Sequence, residues 1–393
     1  MEWVRVGIIG LGNMGSAHAE TIAYGKVNGM KLAAVCDIAE ARQKWAKESL
    51  PSDLPVFADY NEMLHSGLID AVIIATPHYL HPVIAIASFQ AGLHVLTEKP
   101  AGVSVSAVRK MNEAAERSGR IFGIMWNQRT TPIFQRAREI VQSGALGQPK
   151  RLVWTITNWY RSQAYYESGG WRATWAGEGG GVLLNQAPHN LDLWQWIFGM
   201  PDRIRAFCTN GKYHPIEVED DATIYAEYQN GASAVFITST GEYPGTNRLE
   251  ISGDRGKMVL ENGTLRFWKL AVPEREACFT EKAGFPHWDT AEEIYTPEDN
   301  GPAHRGILQN FTDAILHGTP LLAPGKEGIR ELSISNAAYL SAWTDSWVTL
   351  PVDEDAFDAQ LKARIASSKG ERLAPPDGES PTGTYNERWS VRW

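Results

Sequence analysis

Lys99 is a residue whose type and position could stabilise a developing negative charge on an alcohol oxygen. It stands in the run Glu98-Lys99-Pro100, directly after an apolar stretch typical of a strand. Ligands of parallel α/β sheets bind at the carboxyl ends of the strands, so we expect Lys99 to face a ligand. Its ammonium group could then stabilise the alkoxide that forms as a hydride leaves the carbon. A single lysine is more often a solvated surface residue, but the neighbouring Glu98 and Pro100 restrain this one.

His189 could supply the other half of such chemistry, because a neutral imidazole accepts a proton near pH 7. It follows the run Gly179-Gly180-Gly181, and we expect a helix on which Asn185 and His189 lie one turn apart on one face. The alternative is a packing role, which is the commoner one for a histidine among apolar helix residues. The residue pattern alone assigns that packing role to three further histidines: His78, His81 and His94.

The run Gly10-Leu11-Gly12-Asn13-Met14-Gly15 lies between a strand-like stretch and a helical one, where dinucleotide-binding folds bring backbone amides against a pyrophosphate. Asp37 follows at the end of the next strand, where a carboxylate accepts hydrogen bonds from ribose hydroxyls and repels a 2′-phosphate. The sequence therefore predicts NAD, with NADP less favoured. Arg42 leaves NADP open, since it could reach a 2′-phosphate. A plain structural turn with a capping aspartate is the remaining alternative.

Tryptophan is unusually frequent, and seven of the 15 tryptophans fall between residues 126 and 196. Flat indoles suit the apolar faces of a sugar ring, and an arginine fork suits its hydroxyls. We therefore expect this stretch to surround something flat, such as a sugar ring. For Trp171 and Trp175 a core position is equally compatible with the pattern.

These residues need a scaffold, and the first part of the chain predicts one. Apolar strand-like runs at 4–9, 32–36, 71–75 and 121–126 alternate with helical segments at 82–90 and 104–118. This rhythm predicts a doubly wound parallel sheet over residues 1–127.

After residue 131 a short helix is followed mainly by strands at 152–159, 204–209, 222–228 and 232–238. Asn230-Gly231 is a hairpin signal between the last two. We therefore expect an α+β domain with a large, mainly antiparallel open sheet over 128–352, including a helix at 307–316. Residues 353–393 are polar and are predicted to be an arm or tail.

Composition restricts the partners. Lys plus Arg number 37 and Asp plus Glu 46, and this acidic balance disfavours nucleic acid. Three cysteines without paired spacing predict no disulfide framework and favour the cytoplasm. No metal-ligand spacing, membrane-spanning run or leader peptide is predicted.

Together these motifs resemble the family of glucose-fructose oxidoreductase, inositol dehydrogenase and rhizopine-catabolism proteins, called Gfo/Idh/MocA, over about residues 3–350. The resemblance is carried by the glycine loop, the Ala75–His81 turn, Glu98-Lys99-Pro100, Asn127-x-Arg129 and the segment that ends in His189-x-x-Asp192. It implies a nicotinamide-dependent dehydrogenase with Lys99 and His189 as the catalytic pair and Asn185 beside them. It also implies a homodimer or homotetramer.

The cofactor contacts expected on this basis are Gly10, Gly12, Asn13, Met14, Gly15, Asp37, Ile38, Thr76, Pro77, His81, Glu98, Lys99 and Asn127. The expected substrate contacts are Lys99, Asn185 and His189. Five more come from segments that resemble those preceding the active-site helix in family members acting on pyranosides: Trp159, Arg161, Trp171, Arg172 and Trp175.

One departure bears on the reaction. Many members carry aspartate four residues before the histidine, where this chain has Asn185. An amide does not stabilise an imidazolium as a carboxylate does, although it can hold a sugar hydroxyl.

The expected activity is oxidation of one secondary hydroxyl of a sugar, glycoside or cyclitol to a ketone. Two alternatives stay open. The first is a glycosidase or lyase that recycles NAD through a 3-keto sugar, and the second is a non-catalytic NAD-sensing regulator.

Overall fold

A computed structural model describes residues 2–369, which form two sheets with helices packed against them. The first sheet is six-stranded and parallel throughout, with the strand order β3-β2-β1-β4-β5-β6. Its strands are β1 (Val4–Ile9), β2 (Met30–Cys36), β3 (Val56–Phe57), β4 (Ala71–Ile74), β5 (His94–Thr97) and β6 (Phe122–Ile124). The helices between them are α1 (Asn13–Ala23), α2 (Glu40–Ser49), α3 (Tyr60–Leu64), α4 (Leu80–Gln90) and α5 (Val105–Ser118).

This sheet confirms the predicted parallel Rossmann-type arrangement. Helices cover both of its faces, so a central strand must be apolar on both sides. All four residues of β4 are fully buried, which explains their uninterrupted apolar run. The carboxyl ends of β1, β4 and β5 therefore meet at one edge, where a ligand site is expected.

The second sheet has nine strands in the order β14-β13-β12-β11-β7-β10-β9-β8-β15. Only the β7–β10 pair among these is parallel, so the sheet is mainly antiparallel, as predicted. Its strands are β7 (Pro149–Ile156), β8 (Arg203–Asn210), β9 (Glu219–Glu227), β10 (Ser233–Ser239), β11 (Asn247–Gly253), β12 (Gly256–Glu261), β13 (Thr264–Leu270), β14 (Thr290–Tyr295) and β15 (Val348–Thr349). The Asn230-Gly231 hairpin joins β9 to β10.

The accompanying helices are α6 (Pro132–Gln142), α7 (Gln163–Glu167), α8 (Pro188–Phe198), α9 (Glu274–Thr280), α10 (Ala303–His317), α11 (Gly328–Thr344) and α12 (Glu354–Ser367). Short 3-10 turns occupy Asn127–Thr130 and Gly325–Glu327. Helices α8 and α11 pack against each other, and α11 packs on β8. The large aromatic side chains Phe207 and Tyr225 are exposed on the sheet.

The expected helix carrying both Asn185 and His189 is wrong in one respect. Helix α8 begins only at Pro188, which has no backbone N–H to give to a preceding turn and is therefore suited to a first helical position. Asn185 lies before the helix in a series of turns. Glu219 holds these turns, because its carboxylate accepts the N–H of Gly181 and of Leu183, each at 2.9 Å.

The start of the predicted C-terminal arm is a regular helix. In α12, Phe357 and Leu361 are buried, and the helix packs on α11 and α5. An aspartate cap opens it, since the side chain of Asp353 accepts the N–H of Ala356 at 3.0 Å. The rest of that prediction, residues 370–393, lies outside the described residues.

A buried ion-pair cluster joins two of the sequence motifs. The Arg129 guanidinium donates to both carboxylate oxygens of Asp192, at 2.8 and 2.7 Å, and to Glu327 at 2.6 Å. Arg129 and Asp192 side chains are each only 1% exposed. The cluster fixes helix α8, and with it His189, against the turn that follows β6.

Over residues 2–369, no helix has the length and apolarity needed to cross a membrane. The same residues contain no group of three or more histidine, cysteine, aspartate or glutamate side chains that could hold a metal ion.

Candidate functional site

A cavity of about 590 Å³ opens at the carboxyl edge of the parallel sheet. One end is lined by the loops after β1 and β2 and by residues 75–77 after β4, and the other by His78 and the segment between α7 and α8. We call these the nucleotide end and the inner end. Lys99 and Glu98, which follow β5, line the cavity with residues of both ends.

The glycine loop at the nucleotide end is made by close backbone approach. Gly10 has a φ of +90°, and a Cβ on it would lie 2.6 Å from the carbonyl oxygen of Ala75. A Cβ on Gly15 would lie 1.7 Å from the oxygen of Gly10. Gly12 lines the cavity, and a Cβ on it would meet nothing within 4 Å. The loop therefore leaves bare backbone facing the cavity at the start of α1, which fits a pyrophosphate group.

Asp37 is held at the mouth of the same end. Its Oδ2 accepts the N–H of Leu11 at 2.6 Å, and its Oδ1 accepts the N–H of Ala39 at 2.8 Å. Ile38 and Arg42 also line the cavity. These bonds fix the carboxylate beside the glycine loop and leave lone pairs for a ribose hydroxyl.

Most of the expected cofactor contacts lie in the cavity wall: Gly10, Gly12, Asn13, Met14, Asp37, Ile38, Thr76, Pro77, Glu98 and Lys99. Three do not, namely Gly15, His81 and Asn127. His81 is instead buried, and its ring nitrogens lie 2.7 Å from the carbonyl oxygens of Pro100 and Thr76. It ties the turn after β4 to the turn after β5, which is the packing role that the residue pattern indicated.

Glu98 is a buried, ionised neighbour of Lys99. One carboxylate oxygen lies 2.7 Å from Nε2 of His18. Burial by itself would raise the pKa of Glu98, but the hydrogen bond and charge of His18, with His304 and Lys99, lower it to about 2. A negative charge is thus held directly behind Lys99.

Lys99 reaches across to the inner end, where its Nζ donates to the carbonyl oxygen of Asn185 at 2.9 Å. Burial lowers the pKa of Lys99, and the positive charges of Arg172 and Arg161 lower it further, while Glu98 opposes them. A lysine with a lowered pKa gives up a proton more readily than a solvated one, which suits proton exchange with an alcohol.

His189 is buried next to Trp126, with the two ring centroids 5.6 Å apart. Burial lowers the pKa of His189 well below 6.5, and the charge of Lys99 adds to this effect. Its Nδ1 has no hydrogen-bond partner among the described residues. The imidazole is therefore neutral at pH 7, although His189 itself does not line the cavity.

Two of the residues expected at the substrate, Trp171 and Arg172, do line the inner end. The guanidinium carbon of Arg172 lies 4.6 Å from the ring centroids of both Trp171 and Tyr165. Arg172 also donates to the Tyr165 hydroxyl at 2.8 Å. The guanidinium carbon of Arg161 lies 5.0 Å from the ring centroid of the same Tyr165. Arg161 is not part of the cavity wall, although it was expected at the substrate.

Trp159 and Trp175 belong to the core rather than to the cavity. Trp159 is 2% exposed, and its indole N–H donates to Oδ1 of Asn190 at 3.2 Å. Trp175 is 4% exposed and makes edge contacts with Tyr339 and Trp343. The substrate expectation for these two indoles is therefore corrected, because Trp159 is buried beside α8 and Trp175 is covered by aromatic residues of α11.

Three residues of the inner end were missed from the sequence. His78 lines the cavity, packs edge-on against Trp171 at 5.4 Å, and places Nδ1 3.1 Å from the carbonyl oxygen of Glu178. Its position after β4 was the available signal. Tyr165 and Glu178 carried none, because their contacts depend on how the segment folds.

Glu178 is 1% exposed and contacts both Asn185 and the loop before it. Its Oε1 accepts from the amide of Asn185 and lies 3.9 Å from Arg172, while its Oε2 accepts the N–H of Ala173 at 2.6 Å. Burial raises the pKa of Glu178, and the charge of Arg172 with these hydrogen bonds opposes the rise.

Two family models match successive parts of the chain. Residues 4–125 match the model described as an oxidoreductase family with an NAD-binding Rossmann fold. Residues 134–259 match the model of the GFO/IDH/MocA C-terminal domain. The two matched ranges together exceed half of the chain and follow the order of the two sheets.

Characterised relatives align along nearly the whole chain. It is 27% identical over 342 residues to myo-inositol 2-dehydrogenase of Thermotoga maritima, covering 85% of this chain and 95% of that one. It is 25% identical over 410 positions to levoglucosan dehydrogenase of Pseudarthrobacter phenanthrenivorans, covering 89% and 99%. The crystal structure of the WlbA dehydrogenase of Bordetella pertussis, in complex with NADH and UDP-GlcNAcA, superposes with a TM-score of 0.76 at 25% identity, covering 89% of this chain and all of that one.

Proposed function

Because the chain belongs to the Gfo/Idh/MocA oxidoreductase family and has its NAD-binding Rossmann domain, we propose that it is an NAD-dependent dehydrogenase of a ring polyol. The reaction is oxidation of one secondary hydroxyl of a sugar, glycoside or cyclitol to a ketone. The observation that carries this proposal is the shared cavity, in which the glycine loop and Lys99 line one continuous space.

The residues at the nucleotide end would hold NAD, with the pyrophosphate at the Gly10–Gly15 loop and a ribose at Asp37. Bound there, NAD would supply the hydride acceptor for the substrate carbon. We propose NAD over NADP because the Asp37 carboxylate is fixed by two backbone N–H groups and would face a 2′-phosphate with a negative charge.

Lys99 and His189 divide the acid–base work in this proposal. The ammonium group of Lys99 donates to the reacting oxygen and stabilises the alkoxide as it forms. The family resemblance assigns the acceptance of the hydroxyl proton to the neutral imidazole of His189, which lies behind the cavity wall next to Trp126. The buried carboxylate of Glu98 favours the protonated form of Lys99 and opposes the loss of its charge.

The inner end supports a ring-shaped substrate. Trp171 offers a flat indole at the cavity wall, and Arg172 beside it offers a guanidinium already stacked between two aromatic rings. Apolar ring faces suit the indole, and hydroxyls suit the remaining guanidinium N–H groups. The relatives named for inositol and levoglucosan act on such ring polyols.

We also propose the division into an NAD-binding domain (1–127), a substrate-binding and oligomerisation domain (128–352) and a C-terminal segment (353–393). A cytoplasmic homodimer or homotetramer completes the proposal. The exposed aromatic side chains Phe207 and Tyr225 on adjacent strands support the assembly, since exposed apolar patches commonly mark interfaces.

The test is the appearance of NADH or NADPH at 340 nm with NAD or NADP in parallel, across glucose, glucosides, galactose, inositols and a nucleotide sugar. We expect turnover with one ring class and NAD, and a fall in kcat of roughly 10²- to 10³-fold for Lys99→Ala. Full activity of both Lys99→Ala and His189→Ala would contradict the assigned roles. Release of an aglycone without net NADH would replace the dehydrogenase with a redox-recycling glycosidase or lyase.

A further inference from the structure

Glu178 is a buried carboxylate that points at the side chain of a cavity residue rather than into the cavity. It contributes no atom to the cavity wall, whereas Asn185 does. Its two oxygens have separate partners, since Oε2 accepts the N–H of Ala173 at 2.6 Å and Oε1 accepts from Nδ2 of Asn185. The first bond anchors Glu178 to its own loop, and the second passes that restraint to Asn185.

The hydrogen bonds of Asn185 account for both hydrogens of its amide. Nδ2 donates to Glu178 and also to the hydroxyl of Tyr165 at 3.2 Å. Within residues 2–369, Oδ1 of Asn185 accepts no hydrogen bond, and Asn185 is part of the cavity wall. Because Oε1 of Glu178 accepts from Nδ2, this contact holds the Nδ2 end of the amide towards Glu178 and leaves Oδ1 on the other side.

We propose that Glu178 is a positioning residue, which orients the amide of Asn185 so that Oδ1 faces the cavity as an acceptor for a substrate hydroxyl. This inference rests on the proposed function, since it assigns the substrate contact of the same site. Lys99 lies beside this acceptor, because its Nζ donates to the backbone oxygen of Asn185 at 2.9 Å.

A donor and an acceptor side by side recognise a hydroxyl better than either alone. A hydroxyl can accept from the ammonium of Lys99 and donate to Oδ1 of Asn185 at the same time. A ketone or a deoxygenated carbon at that position cannot donate. We place this hydroxyl on the carbon next to the reacting one, because the proton of the reacting hydroxyl passes to His189. The pair then selects a ring that keeps this neighbouring hydroxyl over its deoxy or keto counterpart, and the selection depends on Glu178 accepting from the Asn185 amide.

The first experiment moves the carboxylate from one partner to the other. In Glu178→Gln the amide of Asn185 can turn over, and we expect kcat/KM to fall roughly 10- to 100-fold, as when a hydrogen bond to a charged group is lost. In Asn185→Asp two carboxylates meet at hydrogen-bonding distance, and we expect at least as large a fall. In the double variant the amide of residue 178 donates to the carboxylate of residue 185, whose second oxygen faces the cavity.

The double variant shows whether Glu178 orients the amide of Asn185 or only stabilises its own loop. We expect its kcat/KM to exceed that of both single variants and to return to within about tenfold of the wild type. If the two losses multiply instead, Glu178 is only a brace for its loop and the proposal is overturned. The thermal midpoint and the NADH affinity of every variant are measured alongside, and Glu178→Gln must retain both.

The second experiment needs no turnover, so it stays decisive if the proposed dehydrogenase activity is not found. In protein labelled with ¹⁵N-asparagine, the side-chain resonances of Asn185 are identified by their loss in Asn185→Asp. We expect them displaced from those of solvated asparagines in the wild type, and moved towards them in Glu178→Gln. Resonances that are identical in the wild type and in Glu178→Gln would overturn the positioning role. Absence of turnover with every ring tested would count against the proposed function alone.

Discussion

The two ends of the cavity are built on different principles. The nucleotide end is made of backbone, because the Gly10–Gly15 loop and the turn at Ala75 approach within distances that only glycine permits. The inner end is made of side chains from separate segments, including His78, Lys99 and Arg172. At Gly10 and Gly15 the backbone site has no room for a Cβ, whereas a site made of side chains can change its substrate by one substitution at a time.

The inner end also owes its shape to hydrogen bonds from residues of the parallel-sheet half of the chain. Lys99 donates to the backbone of Asn185, and the hydroxyl of Tyr79 donates to the backbone of Trp175 at 2.7 Å. The parallel-sheet half of the chain thus holds the segment that carries the proposed substrate residues. This contrast predicts that neighbouring tryptophans of the segment differ in what they do.

The largest expected effect is the difference in stability between the variants Trp175→Ala and Trp171→Ala. Trp175 is buried edge-on against Tyr339 and Trp343, so its loss should lower the free energy of unfolding by about 3–5 kcal/mol. Trp171 lines the cavity, and we expect its loss to cost about 1 kcal/mol of stability and up to roughly tenfold in kcat/KM. Chemical denaturation and steady-state kinetics measure both.

These two variants control for each other, because both remove the same indole from one short segment. Equal losses of stability would show that Trp171 is a core residue too, and the contrast between the cavity wall and the core would fail there.

The sequence predicted the nucleotide end of the cavity better than the inner end. The glycine loop and Asp37 were identified because each follows a strand-like run in a recognisable local pattern, although the hydrogen bond that joins Leu11 to Asp37 spans 26 positions. The helix boundary at Pro188 was missed because spacing alone suggested a longer helix that included Asn185. Composition could not separate Trp159 and Trp175 from Trp171, because only tertiary packing decides which indole is covered.

Glu178 shows the limit most clearly. A glutamate beside three glycines shows no distinguishing pattern in the sequence. Its role follows from its hydrogen bonds with Ala173 and Asn185, which only the fold brings about. The buried pair of Arg129 and Asp192 is intermediate, since both residues belong to recognised motifs but their contact across 63 positions appears only in the fold.

A smaller difference in stability is expected between the variants Gly15→Ala and Gly12→Ala at the nucleotide end. A Cβ on Gly15 would overlap the oxygen of Gly10, so the loop must move, and we expect a loss of about 1–3 kcal/mol with weaker NADH binding. Gly12 has a φ of −66° and open space for a Cβ, so we expect its stability to stay within about 0.5 kcal/mol. Calorimetric titration of NADH and thermal unfolding measure the two effects.

Because Gly12 lines the cavity, any weakening of NADH binding in Gly12→Ala would come from the ligand and not from the fold. A loss of stability in Gly12→Ala as large as in Gly15→Ala would contradict the view that one glycine serves packing and the other serves the ligand.

The smallest expected effect is a shift in the pH dependence of kcat/KM, because burial lowers the pKa of both His189 and Lys99. His189 must be neutral to accept a proton, and burial with the charge of Lys99 lowers its pKa well below 6.5, with His304 adding to the effect and Glu98 opposing it. The imidazole therefore stays neutral as pH falls through 6.5, and we expect the acid limb of kcat/KM to lie below that value.

The same lowered pKa of His189 makes protonation favour the unfolded chain, so stability is lost as pH falls below 6.5. Rates are therefore read only where thermal unfolding shows intact protein. On the alkaline side the lowered pKa of Lys99 should bring the limb below 10.5, and Lys99→Arg should remove it because arginine does not deprotonate in this range. An acid limb at or above 6.5 in stable enzyme would show that His189 is solvated and not buried as a neutral base.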